Sequence, residues 1–266
     1  MSPSIKIFRK DCVEGMKKLA DESVAMVFAD PPYNLSGSSL VNKKSRTGGD
    51  FQKVNEAWDN IPTDEYMEFT FEWISSVHRI LKNNGSVYIC ASYHNLEQAL
   101  AGLRRAGFIV KNILTWEKPN AMPNLTRRTF THSTEFIIWA VKGKGWIFNF
   151  EELKRINPDK QVDGSPKMLR DVWRLPVVQG QERLRGLDGK ALHPTQKPLE
   201  LVRRCIVASS QMHDLIVDPF SGSGTTAAAS LMLDRNFVGF ELEEKYFLAS
   251  KSRLKSLQRE LGHSRN

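Results

Sequence analysis

The sequence has few cysteines and no long apolar run. Its three cysteines, Cys12, Cys90 and Cys205, lie far apart, form no Cys-x-x-Cys pair and have no histidine at metal-ligand spacing. These absences argue against a disulfide framework and against a zinc site. No apolar stretch approaches the roughly 20 residues that a membrane-spanning helix needs, and the N-terminal Met-Ser-Pro-Ser lacks signal-peptide character. We therefore expect a cytoplasmic protein with neither a bound metal nor a membrane partner.

The composition is that of an ordinary globular protein with a basic balance. Hydrophobic residues make up 41% and charged residues 26% of the 266 residues, which suffices for the core of one α/β domain with an insertion. The net charge of +8 and the pI near 9.4 are compatible with a polyanionic partner but do not prove one.

Short apolar segments alternate with amphipathic segments along most of the chain. The predicted strands begin at Ile5, Val24, Ser86, Phe108, Thr134, Leu215 and Asn236. This alternation predicts an α/β fold with a doubly wound, mainly parallel seven-stranded sheet and helices on both faces. Residues 142–192 break the alternation, because they are rich in Gly, Pro and charge. We interpret them as an insertion between two halves, 5–141 and 193–261, of a single domain, 1–266.

The most informative stretch is the apolar run from Val24 to Ala29, which ends in Asp30-Pro31-Pro32-Tyr33. Prolines cannot continue a strand ladder, so the strand should stop here and present a carboxylate, carbonyl groups and an aromatic ring. Asp30 and the Pro31 carbonyl can accept both hydrogens of a planar amine, while Tyr33 stacks on the ring that carries it. Two acceptors would also stabilise the positive charge that develops on the amine nitrogen during attack. A rigid strand end beside a surface carboxylate is the plainer alternative.

A second motif lies near the C-terminus, where the predicted strand ending at Asp218 leads into Pro-Phe-Ser-Gly-Ser-Gly-Thr-Thr. Glycines between a strand and a helix let the backbone approach a ligand closely, and the helix N-terminus favours an anionic group. The third glycine of the dinucleotide fingerprint and the lysine of a P-loop are both missing. Glu241 ends the next strand, where an acidic residue typically binds the hydroxyls of a ribose.

Together the two motifs resemble those of the S-adenosylmethionine-dependent amino-methyltransferases that act on DNA. Asp-Pro-Pro-Tyr is similar to their catalytic motif, residues 215–226 to their cofactor motif, and His193-Pro194-Thr195-Gln196-Lys197-Pro198 joins the two. Because the catalytic motif comes first, the order resembles the β class, the circularly permuted group common in restriction–modification systems. The absence of a Pro-Cys pair agrees with attack by an amino nitrogen and no covalent enzyme intermediate.

The resemblance implies a role for each matching residue. Catalysis would rest on Asp30, Pro31, Pro32 and Tyr33. Asp11 matches a position that lies against the adenine of the cofactor, although an aspartate before a helix is more often an N-cap. Lys197 would bind the carboxylate of the methionine moiety as a point charge. The implied S-adenosylmethionine-binding set is Asp11, Cys12, Asp30, Lys197, Asp218, Phe220, Ser221, Gly222, Ser223, Gly224, Thr225 and Glu241.

DNA is the implied partner, and the target base would have to leave the stack to reach the pocket. Tyr33 and Phe130 would form the pocket walls, although a core position for Phe130 is as good an interpretation. Residues 34–62 are either a cationic lid or a solvated loop, and residues 142–192 are either a target-recognition region or a solvated insertion. The candidate DNA contacts are Lys43, Lys44, Arg46, Arg127, Arg128, Arg170, Arg174, Arg183 and Arg185.

Asp-Pro-Pro-Tyr in the β class most often accompanies methylation of adenine N6, whereas cytosine-N4 enzymes more often have serine at the first position. We therefore expect an adenine-specific enzyme, with cytosine N4 as the alternative. An RNA or protein amino-methyltransferase and a non-catalytic DNA-binding relative remain open as well. A separate restriction endonuclease and a homodimer are further partners that the resemblance leaves open.

Overall fold

The computed structural model describes residues 3–34, 61–124, 127–186 and 188–264. Within these ranges the chain forms an eight-stranded sheet with the order β1-β8-β7-β2-β3-β5-β4-β6. The strands are β1 (Ile5–Arg9), β2 (Val24–Ala29), β3 (Leu81–Ala91), β4 (Ile109–Glu117), β5 (Thr134–Val141), β6 (Val172–Arg174), β7 (Leu215–Asp218) and β8 (Asn236–Glu241). The helices are α1 (Cys12–Met16), α2 (Thr63–Ile80), α3 (Leu96–Arg105), α4 (Phe150–Ile156), α5 (Leu199–Ser209), α6 (Thr225–Met232) and α7 (Glu244–Ser264).

The sheet is mainly parallel, as the sequence predicts. The exception is β5, which runs antiparallel to both of its neighbours, β3 and β4. All seven predicted strands are present, so the α/β, doubly wound fold is confirmed. The eighth strand, β6, comes from the insertion and pairs in parallel with β4 through three residues. A strand this short carries no hydrophobic periodicity from which it could be predicted.

Helices cover both faces of the sheet. Buried residues of α1, α2 and α3 pack on one face and those of α5, α6 and α7 on the other. All six residues of β2 are buried, because it is a central strand covered from both sides. Val27 and Ala29 belong to the core on the side of α1, α2 and α3, and Phe28 belongs to the core on the side of α5, α6 and α7. This explains why β2 reads as a continuous apolar run and not as an alternating pattern.

The start of β3 differs from the prediction. The strand begins at Leu81, directly after α2, and not at Ser86. Gly85, which directly precedes the predicted start, therefore lies inside the strand. A side chain at this position would come within 2.9 Å of the Leu81 side chain and 3.1 Å of the Ala25 carbonyl oxygen. The glycine therefore permits close packing against β2 and does not mark a turn.

The insertion packs onto the domain through α4 and β6, among other contacts. Leu153 of α4 packs against Val207 and Ala208 of α5. Trp173 of β6 joins the core on the α5 side, and the Arg204 guanidinium lies 5.6 Å from the centroid of its ring. Of the helices in the described ranges, none is long and apolar enough to cross a membrane.

The topology brings several strand ends to one edge. β1, β8, β7 and β2 are neighbours and run parallel, so their carboxyl ends meet on the same side of the sheet. The chain moves outward from β2 to β3 and outward in the other direction from β7 to β8. Such a switch point leaves a crevice at the carboxyl edge, where ligands bind in open α/β sheets.

Candidate active site

The crevice at the switch point is a cavity of about 310 Å³. Asp30 enters it from the end of β2 and Asp218 from the end of β7. Glu241 is the last residue of β8, and Asp11 follows β1. Four strand ends therefore contribute carboxylates to one cavity. The spacing of these residues along the chain does not by itself show that they meet.

Hydrogen bonds from neighbouring segments hold the loop after β2. The Tyr66 hydroxyl of α2 donates a hydrogen bond to the Pro32 carbonyl at 2.6 Å, and the Asn95 side chain donates to the Tyr66 oxygen at 3.3 Å. The backbone N–H of Ile61 donates to the Asn34 side chain at 3.0 Å. These contacts fix the backbone of the Asp-Pro-Pro-Tyr loop, so that its side chains are oriented before any ligand binds.

The two oxygens of Asp30 differ in their partners. The Lys197 ammonium lies 2.7 Å from Oδ2. Among the described residues, no group forms a hydrogen bond with Oδ1, although that atom is buried. Burial raises the pKa of the Asp30 carboxyl, and the Lys197 charge opposes the rise. A buried acceptor without a partner is costly, and a functional site is a common place for it.

Glu135, near the start of β5, completes a charged network that the sequence analysis missed. Its Oε1 accepts a hydrogen bond from the Lys118 ammonium at 2.5 Å, and its Oε2 accepts one from the Tyr33 hydroxyl at 3.1 Å. The Lys197 ammonium lies 3.6 Å from Oε2. The two lysines keep the pKa of Glu135 low despite burial. A lone glutamate opening an apolar strand gives no signal of this role, since only the antiparallel pairing of β5 with β3 brings it to the site.

The second half of the cavity is built around the turn after β7. The N–H of Phe220 donates to Asp218 Oδ1 at 2.9 Å, and the Thr226 hydroxyl donates to Oδ2 at 2.5 Å. Burial nevertheless raises the pKa of Asp218 to about 7. Gly222 and Gly224 have positive φ angles of 49° and 75°, a region that residues with a side chain rarely adopt. A glycine-rich turn was predicted here, and the backbone conformation gives the reason for it.

Glu241 faces this turn and supports it. Its Oε2 accepts a hydrogen bond from the N–H of Gly222 at 2.7 Å, and its Oε1 accepts one from the N–H of Glu243 at 2.8 Å. Burial is the largest cause of its raised pKa, which the two backbone N–H groups oppose. A carboxylate has about four acceptor sites, so both oxygens can still accept from a ligand.

Two further side chains near the turn were not predicted. The Arg253 guanidinium of α7 donates to the Ser223 carbonyl at 3.2 Å and to the Thr225 hydroxyl at 3.1 Å. His193 lines the cavity, and its ring centroid lies 4.4 Å from that of Tyr246. Arg253 lies in a helix rich in exposed charge, so its sequence context does not distinguish it from the solvated residues around it.

The structure brings all but one of the predicted catalytic and cofactor-binding residues together. The cavity is lined by Asp11, Cys12, Asp30, Pro31, Pro32, Tyr33, Lys197, Asp218, Phe220, Ser221, Gly222, Ser223, Thr225 and Glu241, whereas Gly224 of the turn does not line it. Asp11 also accepts a hydrogen bond from the N–H of Glu14 at 3.0 Å, so it caps α1 as well as lining the cavity. Lys197 is paired with Asp30, and its assignment to the methionine carboxylate stays a prediction.

Phe130 lies apart from this group. Its side chain is 95% exposed and does not line the cavity, so the core position considered for it is wrong and its place in a base pocket stays a prediction. Most of the predicted cationic contacts that the structure describes are exposed too, and several have intramolecular partners. Arg174 lies 3.4 Å from Glu117, and Arg183 and Arg185 donate to backbone carbonyls. The other cations are Arg127, Arg128 and Arg170, which are exposed, and Lys43, Lys44 and Arg46, which lie outside the described residues.

Comparison with known proteins gives a consistent picture. A family model for the N6/N4 type of DNA methylase matches residues 24–252. The Type II methyltransferase M2.MboI of Moraxella bovis is 41% identical over 254 residues, which are 94% of this chain and 87% of that protein. The crystal structure of the M1.HpyAVI–SAM complex is 31% identical with a TM-score of 0.67, over 94% of this chain and 98% of that one. The cytosine-N4-specific PvuII DNA methyltransferase shares the fold, with a TM-score of 0.71 at 19% identity. The match covers 95% of this chain and 87% of that one.

Proposed function

Since the chain belongs to the N6/N4 DNA methylase family, we propose that it transfers the methyl group of S-adenosylmethionine to the exocyclic N6 of adenine in a short DNA sequence. The observation that carries this proposal is the position of Asp30. Asp30 lines the same cavity as the turn from Asp218 to Thr225 and the Glu241 carboxylate, and its Oδ1 has no hydrogen-bond partner among the described residues. An acceptor for an amine and a cradle for a nucleoside cofactor thus share one cavity.

The residues of the second half of the cavity fit S-adenosylmethionine. Ser221 has a buried hydroxyl oxygen with no hydrogen-bond partner among the described residues, and a ligand can satisfy it. We assign the ribose hydroxyls to Glu241, since it is the last residue of β8 and its carboxylate can accept their hydrogen bonds. Asp11 lies across the same cavity, beside Cys12, where the adenine of the cofactor is expected. When bound, the cofactor supplies an electrophilic methyl group on a positively charged sulfur.

The first half of the cavity activates the target amine. An aryl amine is a poor nucleophile because its lone pair is delocalised into the ring. Asp30 Oδ1 and the Pro31 carbonyl accept its two hydrogens, which favours a tetrahedral nitrogen, and the carboxylate stabilises the positive charge that grows there. Tyr33 holds the base by stacking, with its own ring fixed by the hydroxyl bond to Glu135. The enzyme contributes position and charge and forms no covalent intermediate.

DNA binding requires the target base to leave the duplex stack, because the reacting carboxylate lies in a cavity and its side chain is only 18% exposed. We assign target recognition to residues 142–192 and phosphate contacts to the predicted cations. The order of the two motifs, with the catalytic loop after β2 and the cofactor turn after β7, supports the β-class assignment. We place the enzyme in the cytoplasm. A separate restriction endonuclease and a homodimer stay predictions.

Cytosine N4 is the second candidate acceptor. The exocyclic amine of cytosine presents the same two hydrogens on a planar ring, and the family includes both specificities. The similarity to the cytosine-N4-specific PvuII enzyme is a similarity of fold alone. Aspartate, and not serine, at position 30 favours adenine.

Substrate competition tests the proposed class of acceptor. The protein is incubated with methyl-labelled S-adenosylmethionine and equal masses of unmethylated DNA, ribosomal RNA and a protein extract. We expect label in DNA alone, and no label in DNA with the Asp30→Ala variant as the matched control. Label in RNA or protein would move the enzyme to another substrate class. No label anywhere, with cofactor binding shown by calorimetry, would favour a binding-only relative.

A further inference from the structure

Two of the carboxylates of the active site, Asp30 and Glu135, share one lysine. Lys197 is 6% exposed at its side chain and lies 2.7 Å from Asp30 Oδ2 and 3.6 Å from Glu135 Oε2. In the reaction as described above, Glu135 only holds the Tyr33 hydroxyl. It is nevertheless the most connected carboxylate of the site, with contacts to Lys118, Tyr33 and Lys197.

We propose that Glu135 is a positioning residue that shares the charge of Lys197 and thereby keeps Asp30 a strong acceptor for the target amine. This inference rests on the proposed function. It assigns a task to a side chain that no sequence motif singles out, and it explains why two carboxylates, each less than 20% exposed, contact the Lys197 ammonium.

The physical argument begins with Asp30. A carboxylate paired with one lysine in a site of low dielectric constant is close to neutral as seen by a third group, so it stabilises a developing cation weakly. A second carboxylate on the same lysine divides the ammonium's charge between two partners. Asp30 Oδ1 then retains more of its negative charge for the amine nitrogen, on which positive charge grows during attack.

The surroundings of Glu135 suit this task. Lys118 holds its other oxygen at 2.5 Å, which keeps the carboxylate ionised and fixes its orientation. The Tyr33 hydroxyl donates to the oxygen that faces Lys197, so the stacking ring and the charge network are coupled. The ammonium of Lys197 also lies 5.1 Å from the centroid of the Tyr33 ring. Lys197 therefore cannot leave Asp30 without changing its distance to Glu135 and Tyr33.

The test is a double-mutant cycle on the chemical step, measured by single-turnover methyl transfer at saturating cofactor and DNA. Glu135→Gln keeps the shape and one acceptor oxygen but removes the charge. We expect a rate loss of about 30-fold, smaller than the roughly 100-fold that follows loss of a directly contacting group. In a Lys197→Gln background the same change should cost less than about threefold, since no charge is left to share. An equal loss in both backgrounds would overturn the proposal.

The pH profile distinguishes charge sharing from a merely structural role. Asp30 faces Lys197, Glu135 and Tyr33, together with Cys90 from β3 and Asp218 from β7. Removing the Glu135 charge should lower the pKa of Asp30, because Lys197 then pairs with Asp30 alone. The acid limb of the rate profile should shift to lower pH while the maximum rate falls. A lower maximum with an unshifted acid limb would contradict the proposal.

Controls separate this inference from the proposed function. Glu97→Gln, an exposed change on α3 and outside the insertion, should keep the wild-type rate, and cofactor affinity should be equal in wild type and Glu135→Gln. If the wild type methylates no DNA, the proposed function fails; if it does and Glu135→Gln is equally fast, only this inference fails. Should Glu135→Gln not fold, the cycle is run with Glu135→Asp. Moving the charge back by one methylene should cost about fivefold with Lys197 present and nothing without it, and equal costs would again refute charge sharing.

Discussion

Replacing Asp218 with asparagine is expected to stabilise the cofactor-free protein at neutral pH. Asp218 is buried at the end of β7, and its two oxygens accept hydrogen bonds from the N–H of Phe220 and the hydroxyl of Thr226. Asparagine can keep both contacts, because its carbonyl oxygen accepts from Phe220 and its amide donates to a hydroxyl that also accepts. The substitution therefore removes a buried titrating group without leaving a cavity or an unpaired atom.

The magnitude follows from the pKa of Asp218, which burial raises from 3.8 to about 7. The unfolded chain loses this proton near pH 3.8 and the folded chain only near 7, so the folded state holds more protons between these values. The free energy of unfolding then falls as the pH rises through this window. At ~1.4 kcal/mol per pKa unit the total loss is about 4 kcal/mol, and asparagine does not suffer it.

The assay is urea unfolding of wild type and Asp218→Asn without cofactor, at intervals from pH 4 to pH 8. The stability difference should grow from near zero at pH 4 to about 4 kcal/mol above pH 7. Asp171→Asn, the same change at an exposed position before β6, should show no such growth. A difference that does not vary with pH, or that favours the wild type at pH 8, would refute the reasoning.

Three further predictions concern the site directly. Asp30→Ala should abolish methyl transfer yet leave cofactor affinity within about twofold, because the turn after β7 is intact; loss of affinity as well, measured by calorimetry, would mean that the two halves of the cavity are misassigned. Glu241→Ala should weaken cofactor binding by about 30-fold, which corresponds to ~2 kcal/mol for hydrogen bonds to a charged acceptor. The control Glu244→Ala, at an exposed position, should leave cofactor binding unchanged. An unaltered dissociation constant for Glu241→Ala would mean that Glu241 does not bind the ribose. Joint neutralisation of Lys43, Lys44 and Arg46 should flatten the dependence of DNA affinity on salt concentration. An unchanged slope would favour the interpretation of residues 34–62 as a solvated loop.

The fold was predictable because each layer leaves a local trace in the sequence. The apolar run of β2 and the glycine-rich turn after β7 show where strands end, and the alternation of strands and helices shows that the sheet is parallel. β6 was missed because three residues carry no period, and the start of β3 was misplaced because Gly85 serves packing and not a turn.

The site was predictable only where function needs unusual residues in sequence. Asp-Pro-Pro-Tyr and the Gly-Ser-Gly turn are recognisable because few other structures require them. Glu135, Tyr66 and Arg253 are ordinary residues of ordinary helices and strands, and they become part of the site only through long-range pairing. Side chains that support a site are therefore harder to predict than those that form it.

The most direct test of the central claim is mass spectrometry of nucleosides from unmethylated DNA that has been incubated with the protein and S-adenosylmethionine. The account predicts N6-methyladenine in these digests, and none when Asp30→Ala replaces the wild type. N4-methylcytosine would preserve the mechanism and change the base. An absence of both, from protein that binds the cofactor, would contradict the claim that Asp30 activates a DNA amine.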